Sequence, residues 1–183
     1  MFYDQIMESA EFISKHTSHK PNIGIILGSG LGALVYIMED KEVIPYTSIP
    51  HFPKSHVEGH AGNLVLGKIG EQTVICMQGR FHYYEGFEMK EVTYPVYVMK
   101  QLGVESLIVT NACGGINTSF VPGDLMLITD HINFSARNSL IGINDDRLGP
   151  RFPDMTEAYN KDLMEKAESV GKKLGIDYKH GVY

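Results

Sequence analysis

Apolar side chains recur along this chain at two different spacings, and the spacings divide it into elements. Over residues 3–16, Ile6, Ala10 and Ile13 stand i, i+4, i+7, the stripe of one helix face, and Pro21 closes the segment. Ile23-Gly24-Ile25-Ile26-Leu27 is apolar but too short for a helix, and predicts a buried strand of parallel type. Leu31, Leu34, Val35 and Met38 share a face and predict a helix after it. Residues 45–62 show no period and are punctuated by Pro45, Pro50 and Pro53. Residues 63–69 and 72–78 are strand-like. Gly70-Glu71 between them, with glycine first, suits a type II′ hairpin turn. Residues 91–102 predict a helix with Pro95 in its first turn and Gly103 just past its end. Residues 106–110 predict another buried strand and 125–129 a further one. Residues 135–156 read as loop, 160–174 as a helix, and 176–183 as the start of a strand.

Composition narrows the class. The chain has 183 residues, 43% hydrophobic and 21% charged, as expected of a folded domain with a real core. A formal net charge of −6 argues against nucleic acid or an anionic membrane as the main partner, while leaving room for a local basic pocket. Two cysteines, Cys76 and Cys113, make no disulfide framework and no CxxC pair. The N-terminus has no basic and apolar leader pattern, and no apolar run reaches spanning length, so a cytoplasmic location is the expectation.

Polar groups gather where the predicted strands end. Gly28-Ser29-Gly30-Leu31-Gly32 follows the first strand. Its glycines allow positive φ and close approach, and successive amides with the Ser29 hydroxyl can form an anion cradle. The same stretch also fits a plain tight turn. Gln78-Gly79-Arg80-Phe81-His82-Tyr83-Tyr84-Glu85-Gly86 follows another strand with a guanidinium, an imidazole and a carboxylate. Asn111-Ala112-Cys113-Gly114-Gly115 follows a third. If these strands are neighbours, the three loops converge on one crevice at their carboxyl ends. Arg80 supplies a bidentate clamp for phosphate oxygens, and His82, two residues on, points to the same side if the backbone stays extended.

The sequence also offers two other chemistries. His51, His56 and His60 lie in the proline-punctuated segment, and His56 and His60 are four apart. That spacing binds zinc from a helix, but this segment is not helical and Glu58 stands in the wrong place for HExxH. Gly28-x-Gly30-x-x-Ala33 fits the dinucleotide fingerprint. That fingerprint also asks for a second strand ending in an acid some twenty residues on, where this chain has Ile49-Pro50-His51-Phe52-Pro53.

A family resemblance rests on seven motifs in order. They are Gly28-Ser29-Gly30-Leu31-Gly32, Val57-Glu58-Gly59-His60-Ala61-Gly62, Gly79-Arg80-Phe81-His82-x-Tyr84-Glu85-Gly86, Val109-Thr110-Asn111-Ala112-x-Gly114-Gly115, Gly123-Asp124, Asp130-His131-Ile132-Asn133 and Arg151-Phe152-Pro153-Asp154-Met155. Together they resemble the trimeric class of purine nucleoside phosphorylases. The resemblance implies a single α/β domain over residues 1–183, with a mixed, largely parallel central sheet flanked by helices. It implies phosphorolysis of purine (deoxy)ribonucleosides to free base and pentose 1-phosphate in purine salvage, with phosphate as co-substrate and no cofactor or metal. Ser29, His60, Arg80, His82 and the Ala112 backbone would hold phosphate. Tyr84 would lie against ribose, Glu85 would orient His82, and Phe152 would enter a neighbouring subunit's sugar site in a homotrimer.

The alternatives are the methylthioadenosine branch of the same family and a non-catalytic phosphate-binding remnant. Family members continue beyond the position of Tyr183, and the resemblance places the base-holding glutamate and asparagine there, with a further phosphate-site serine and a ribose-site histidine. The 183-residue chain is therefore expected to bind phosphate with little turnover.

Overall fold

The computed structural model describes residues 2–54 and 62–183, so His56 and His60 lie outside the described residues. The chain divides into two compact units, one comprising Met1–Ala112 with Asn138–Leu148, the other Cys113–Arg137 with Gly149–Tyr183.

The first unit contains helices α1 (Phe2–Lys15) and α2 (Met89–Gln101) and strands β1 (Ile23–Ile26), β2 (Glu39–Pro45), β3 (Asn63–Ile69), β4 (Gln72–Gln78) and β5 (Ser106–Val109). The strands form one sheet in the order β2-β3-β4-β1-β5. Strand β1 is parallel to both β4 and β5, whereas β2–β3 and β3–β4 are antiparallel. The protein is thus mixed α/β, with the parallel pairings at the β1 end. Ile69 pairs Gln72 across the two-residue turn; Gly70 has φ 58° and Glu71 is not in the positive-φ region, as a type II′ turn requires.

Strand alternation sorts the core onto two faces. Leu64, Leu66, Ile75 and Met77 face one way and meet Ile6 and Ile13 of α1 and Val98 and Met99 of α2. Val65, Val74 and Cys76 face the other way, toward Ile25, Leu27, Val35 and Met38. The two helices are tied by a buried polar link. The Ser9 hydroxyl donates to the Pro50 carbonyl at 2.6 Å and so accepts from Tyr94 Oη at 2.7 Å.

Four features depart from the sequence reading. Residues 31–38 form a 3-10 helix over Gly32–Ile37 instead of an α-helix, closing i→i+3 bonds such as Leu34 N–H to the Leu31 carbonyl. The tight winding lets Val35 and Met38 insert against the sheet within the few residues between β1 and β2. Strand β2 is unpredicted: in Glu-Asp-Lys-Glu-Val-Ile-Pro only Ile44 is buried, and charge on an edge strand hides its period. Helix α2 begins at Met89, where Glu88 and Glu91 form a capping box, so Pro95 falls in the second turn and supplies no N–H to the Glu91 carbonyl. Gly103 (φ 99°) does end this helix: its N–H bonds the Lys100 carbonyl and that of Val104 bonds the Met99 carbonyl, a Schellman arrangement. Finally, β5 is an edge strand, and its Leu107, Ile108 and Val109 are half-exposed to exposed instead of buried.

The second unit pairs strands β6 (Leu125–Asp130) and β7 (Tyr178–Val182) in parallel, with helix α3 (Lys161–Leu174) between them in sequence. Asn160 caps α3 by accepting from Leu163 N–H at 3.0 Å, and Gly175 (φ 67°) ends it. Gly171 packs on the Tyr178 ring, where an added Cβ would stand 2.9 Å from Cε1.

Candidate functional site

Because β4, β1 and β5 are adjacent and parallel, the loops after Gln78, Ile26 and Val109 leave the same edge of the sheet. The convergence that the sequence made conditional is therefore met for residues through Ala112. A cavity of about 280 Å³ opens at this edge, lined by the Gly28–Gly32 turn, Tyr36, Gln78, Gly79, Arg80 and His82. Among the described residues that line it there is one guanidinium and no carboxylate, so their field favours an anion despite the acidic chain.

Arg80 leaves β4 after Gly79, whose φ of 99° turns the chain. The preceding carbonyl, that of Gly79, is held by the buried Tyr46 hydroxyl at 2.7 Å. The Arg80 guanidinium donates through Nη1 to the Thr110 carbonyl at 2.7 Å and through Nε to His82 Nε2 at 3.2 Å. His82 Nε2 thus presents a lone pair, which puts the ring proton on Nδ1, and Nδ1 donates to Glu85 Oε1 at 2.9 Å. The same carboxylate oxygen accepts the His82 backbone N–H at 2.9 Å, at the start of the 3-10 turn Tyr83–Glu85. Tyr84 stacks on the His82 ring with centroids 4.7 Å apart and is otherwise largely exposed. Arg80 Nη2 has no acceptor among the described residues and remains for a ligand oxygen.

Ser29 is exposed at the cavity wall, and Gly30 beside it has φ 81° with open space where a side chain would stand. Gly28 is constrained in the opposite sense. A Cβ there would lie 2.7 Å from Asn111 Cα and from the Thr110 carbonyl oxygen, so only glycine lets β1 and β5 close at this point. Ala112 sits on the β5 loop, outside the residues that line the cavity. His60 lies outside the described residues, and Phe152 belongs to the second unit. Among the described residues no three His, Cys, Asp or Glu side chains come together as a metal site. The glycine turn opens into a 3-10 helix and not into an α-helix N-terminus, which is what a bound pyrophosphate would use in a dinucleotide fold.

Sequence reasoning missed Thr110, Tyr46 and Gln78. Thr110 lies within the Val109–Gly115 motif, where the sequence assigns it no role. Tyr46 lay in a segment without period, and nothing in its surroundings signals that its hydroxyl reaches Gly79. Gln78 reads in the sequence only as a strand end, yet it lines the cavity and donates through Nε2 to the Gly32 carbonyl at 3.3 Å.

Comparison with known proteins bears on the family and the fold. Residues 22–183 match the sequence model of the phosphorylase superfamily. Purine nucleoside phosphorylase 1 of Bacillus subtilis is 57% identical over 180 residues, covering 98% of this chain and 66% of its own length. Isoform 2 of purine nucleoside phosphorylase from Schistosoma mansoni, solved with cytosine and ribose-1-phosphate, superposes with a TM-score of 0.94 at 45% identity, over 99% of this chain and 65% of that one. A purine nucleoside phosphorylase solved with ribose-1-phosphate gives 0.93 at 44% identity, over 98% and 68%. The chain thus spans about two thirds of the length of the proteins it matches. It belongs to the phosphorylase superfamily, in the purine nucleoside phosphorylase family.

Proposed function

We propose that this protein phosphorolyses the N-glycosidic bond of purine (deoxy)ribonucleosides, giving free purine base and (deoxy)ribose 1-phosphate, and that the described cavity is its phosphate subsite. The observation that carries this reading is the Arg80 guanidinium, fixed at two of its nitrogens and, among the described residues, without an acceptor at the third, facing a glycine turn across a cavity whose described lining holds no carboxylate. Relatives solved with ribose-1-phosphate, adenosine and hypoxanthine support the same substrate class.

In this reading Ser29, Arg80, His82 and the Ala112 backbone hold phosphate, with His60 beside them. Glu85 fixes the His82 ring and Tyr84 packs on the ribose. Glycosidic cleavage passes through an oxocarbenium-like state. A phosphate dianion held beneath C1′ stabilises that cation and bonds to it as the C–N bond breaks, and the departing purine keeps the electron pair and takes a proton. The protein's part is positioning and fixed charge.

Phosphate binding is the step whose residues lie in the described structure, so it is the one to test. Calorimetric titration with inorganic phosphate should show Arg80→Ala weakened by about 2–3 kcal/mol relative to wild type. Equal affinities remove Arg80 from the site. Release of hypoxanthine from inosine that does not depend on phosphate would refute phosphorolysis.

A homotrimer with Phe152 reaching a neighbour's sugar site belongs to the same proposal. It is supported by the exposure of Phe152, whose ring is met locally by the Arg151 guanidinium at 5.8 Å. A monomer by light scattering at micromolar concentration would sink it.

A further inference from the structure

We infer that Thr110 is a positioning residue for the phosphate subsite: its hydroxyl locks the β1 turn to the β5 end and so fixes the carbonyl that aims Arg80. This inference rests on the phosphate reading above and adds a residue to it.

Thr110 makes four hydrogen bonds, and they join all three strand ends. Its backbone N–H and its Oγ1–H both donate to the Ile26 carbonyl, each at 3.0 Å. Oγ1 accepts the Gly28 N–H at 2.9 Å. Its carbonyl accepts Arg80 Nη1 at 2.7 Å. The hydroxyl proton and one lone pair are thus both used on β1, and the carbonyl is used on the β4 loop.

The consequence for the cradle is a division of labour among its amides. Gly28 N–H is committed to Thr110 and is not aimed at a ligand. Leu31 N–H is committed to the Gly28 carbonyl at 3.1 Å. The amides of Ser29, Gly30 and Gly32, all in the cavity wall, have no acceptor among the described residues, so they are left for an anion. Steric contact and hydrogen bonding act on the same point. Gly28 lacks the Cβ that would strike the Thr110–Asn111 backbone, and the close approach this allows is what brings its N–H to Oγ1.

A valine at 110 keeps the shape and removes the hydroxyl. Gly28 N–H then has no partner at the β5 end, the turn relaxes, and residue 110 keeps only its backbone N–H bond to the Ile26 carbonyl, so the carbonyl that sets the guanidinium is held less firmly. Serine restores the hydroxyl and should restore the site.

The test is calorimetric titration with inorganic phosphate on the full chain, using wild type, Thr110→Val, Thr110→Ser, Arg80→Ala and the Thr110→Val/Arg80→Ala double variant. Thr110→Val should bind phosphate about tenfold more weakly, and Thr110→Ser within about twofold of wild type. In the Arg80→Ala background Thr110→Val should cost much less, because much of its effect runs through the guanidinium. Equal binding by Thr110→Val, or losses that simply add, would overturn the inference and leave the proposed function standing. A wild type that takes up no phosphate would instead overturn the proposed function. The hydroxyl lock is then judged by hydrogen exchange at Gly28 in the wild-type chain, which needs no variant to fold. Protection comparable to the Leu27 amide, which donates to the Met77 carbonyl at 3.2 Å, is expected, and free exchange refutes the lock.

Discussion

The two units use their apolar residues in opposite ways. Every buried apolar side chain among the described residues lies in the first unit, where two layers of side chains clamp the sheet from both faces. In the second unit Gly171 is the one fully buried residue, and Ile116, Phe134 and Phe152 are 99%, 96% and 86% exposed. Both units have regular elements with proper ends. Local sequence is enough to set a helix such as α3, with its Asn160 cap and Gly175 stop. A closed core needs partners from elsewhere in the chain. The candidate phosphate site stands on the closed unit, where packing can hold a guanidinium to a carbonyl at hydrogen-bond distance.

That contrast can be broken by substitution. Ile75 on β4 is fully buried, so Ile75→Ala should cost about 2–5 kcal/mol in a urea or thermal melt. A loss below about 1 kcal/mol would mean that the core is looser than drawn.

The cysteines sharpen the comparison. Burial pushes the Cys76 thiol up to about 11, whereas Cys113 of the second unit is exposed. Cys76 stays protonated in the folded chain at a pH where the unfolded thiol already ionises. Its contribution to stability is therefore complete below about pH 8.5 and is lost as pH rises toward 11. At pH 8 a thiol reagent should modify Cys113 quickly and Cys76 at the rate of unfolding; fast labelling of both contradicts the burial of β4.

Smaller effects are expected in the second unit. Asn160→Ala removes the α3 cap and should cost about 1 kcal/mol in a melt followed by helical circular dichroism. Phe152→Ser, at an exposed site, should stay within about 0.5 kcal/mol for the isolated subunit. A larger loss that depends on protein concentration would point to an assembly in which Phe152 is covered.

Much of this was legible in the sequence, for identifiable reasons. The i, i+4, i+7 stripe of α1 and the two-residue Gly70-Glu71 turn are local signals, and the structure reproduces both. The meeting of Ser29, Arg80 and His82 was readable because strand ends of parallel neighbours share an edge. Strand β2 was illegible because an edge strand with one buried residue has no period to detect. Pro95 was misplaced by one turn because the capping box at Glu88 and Glu91 starts α2 before its apolar stripe does. Thr110 and Tyr46 act through single hydroxyls on distant backbone, and one-dimensional spacing carries no trace of such contacts.

The sheet order has a kinetic side. The β3–β4 hairpin forms across two residues, but the pairings that build the cavity join Ile25 to Cys76 and to Ile108, and closing such long loops is slow. We predict that the hairpin is in place at the folding barrier and the cavity is not. Phosphate would then bind only after the barrier has been crossed, slowing unfolding while leaving the folding rate unchanged. Chevron plots with and without phosphate read this directly: the unfolding arm should drop and the folding arm should superpose, and a faster folding arm would place the cavity in the nucleus instead.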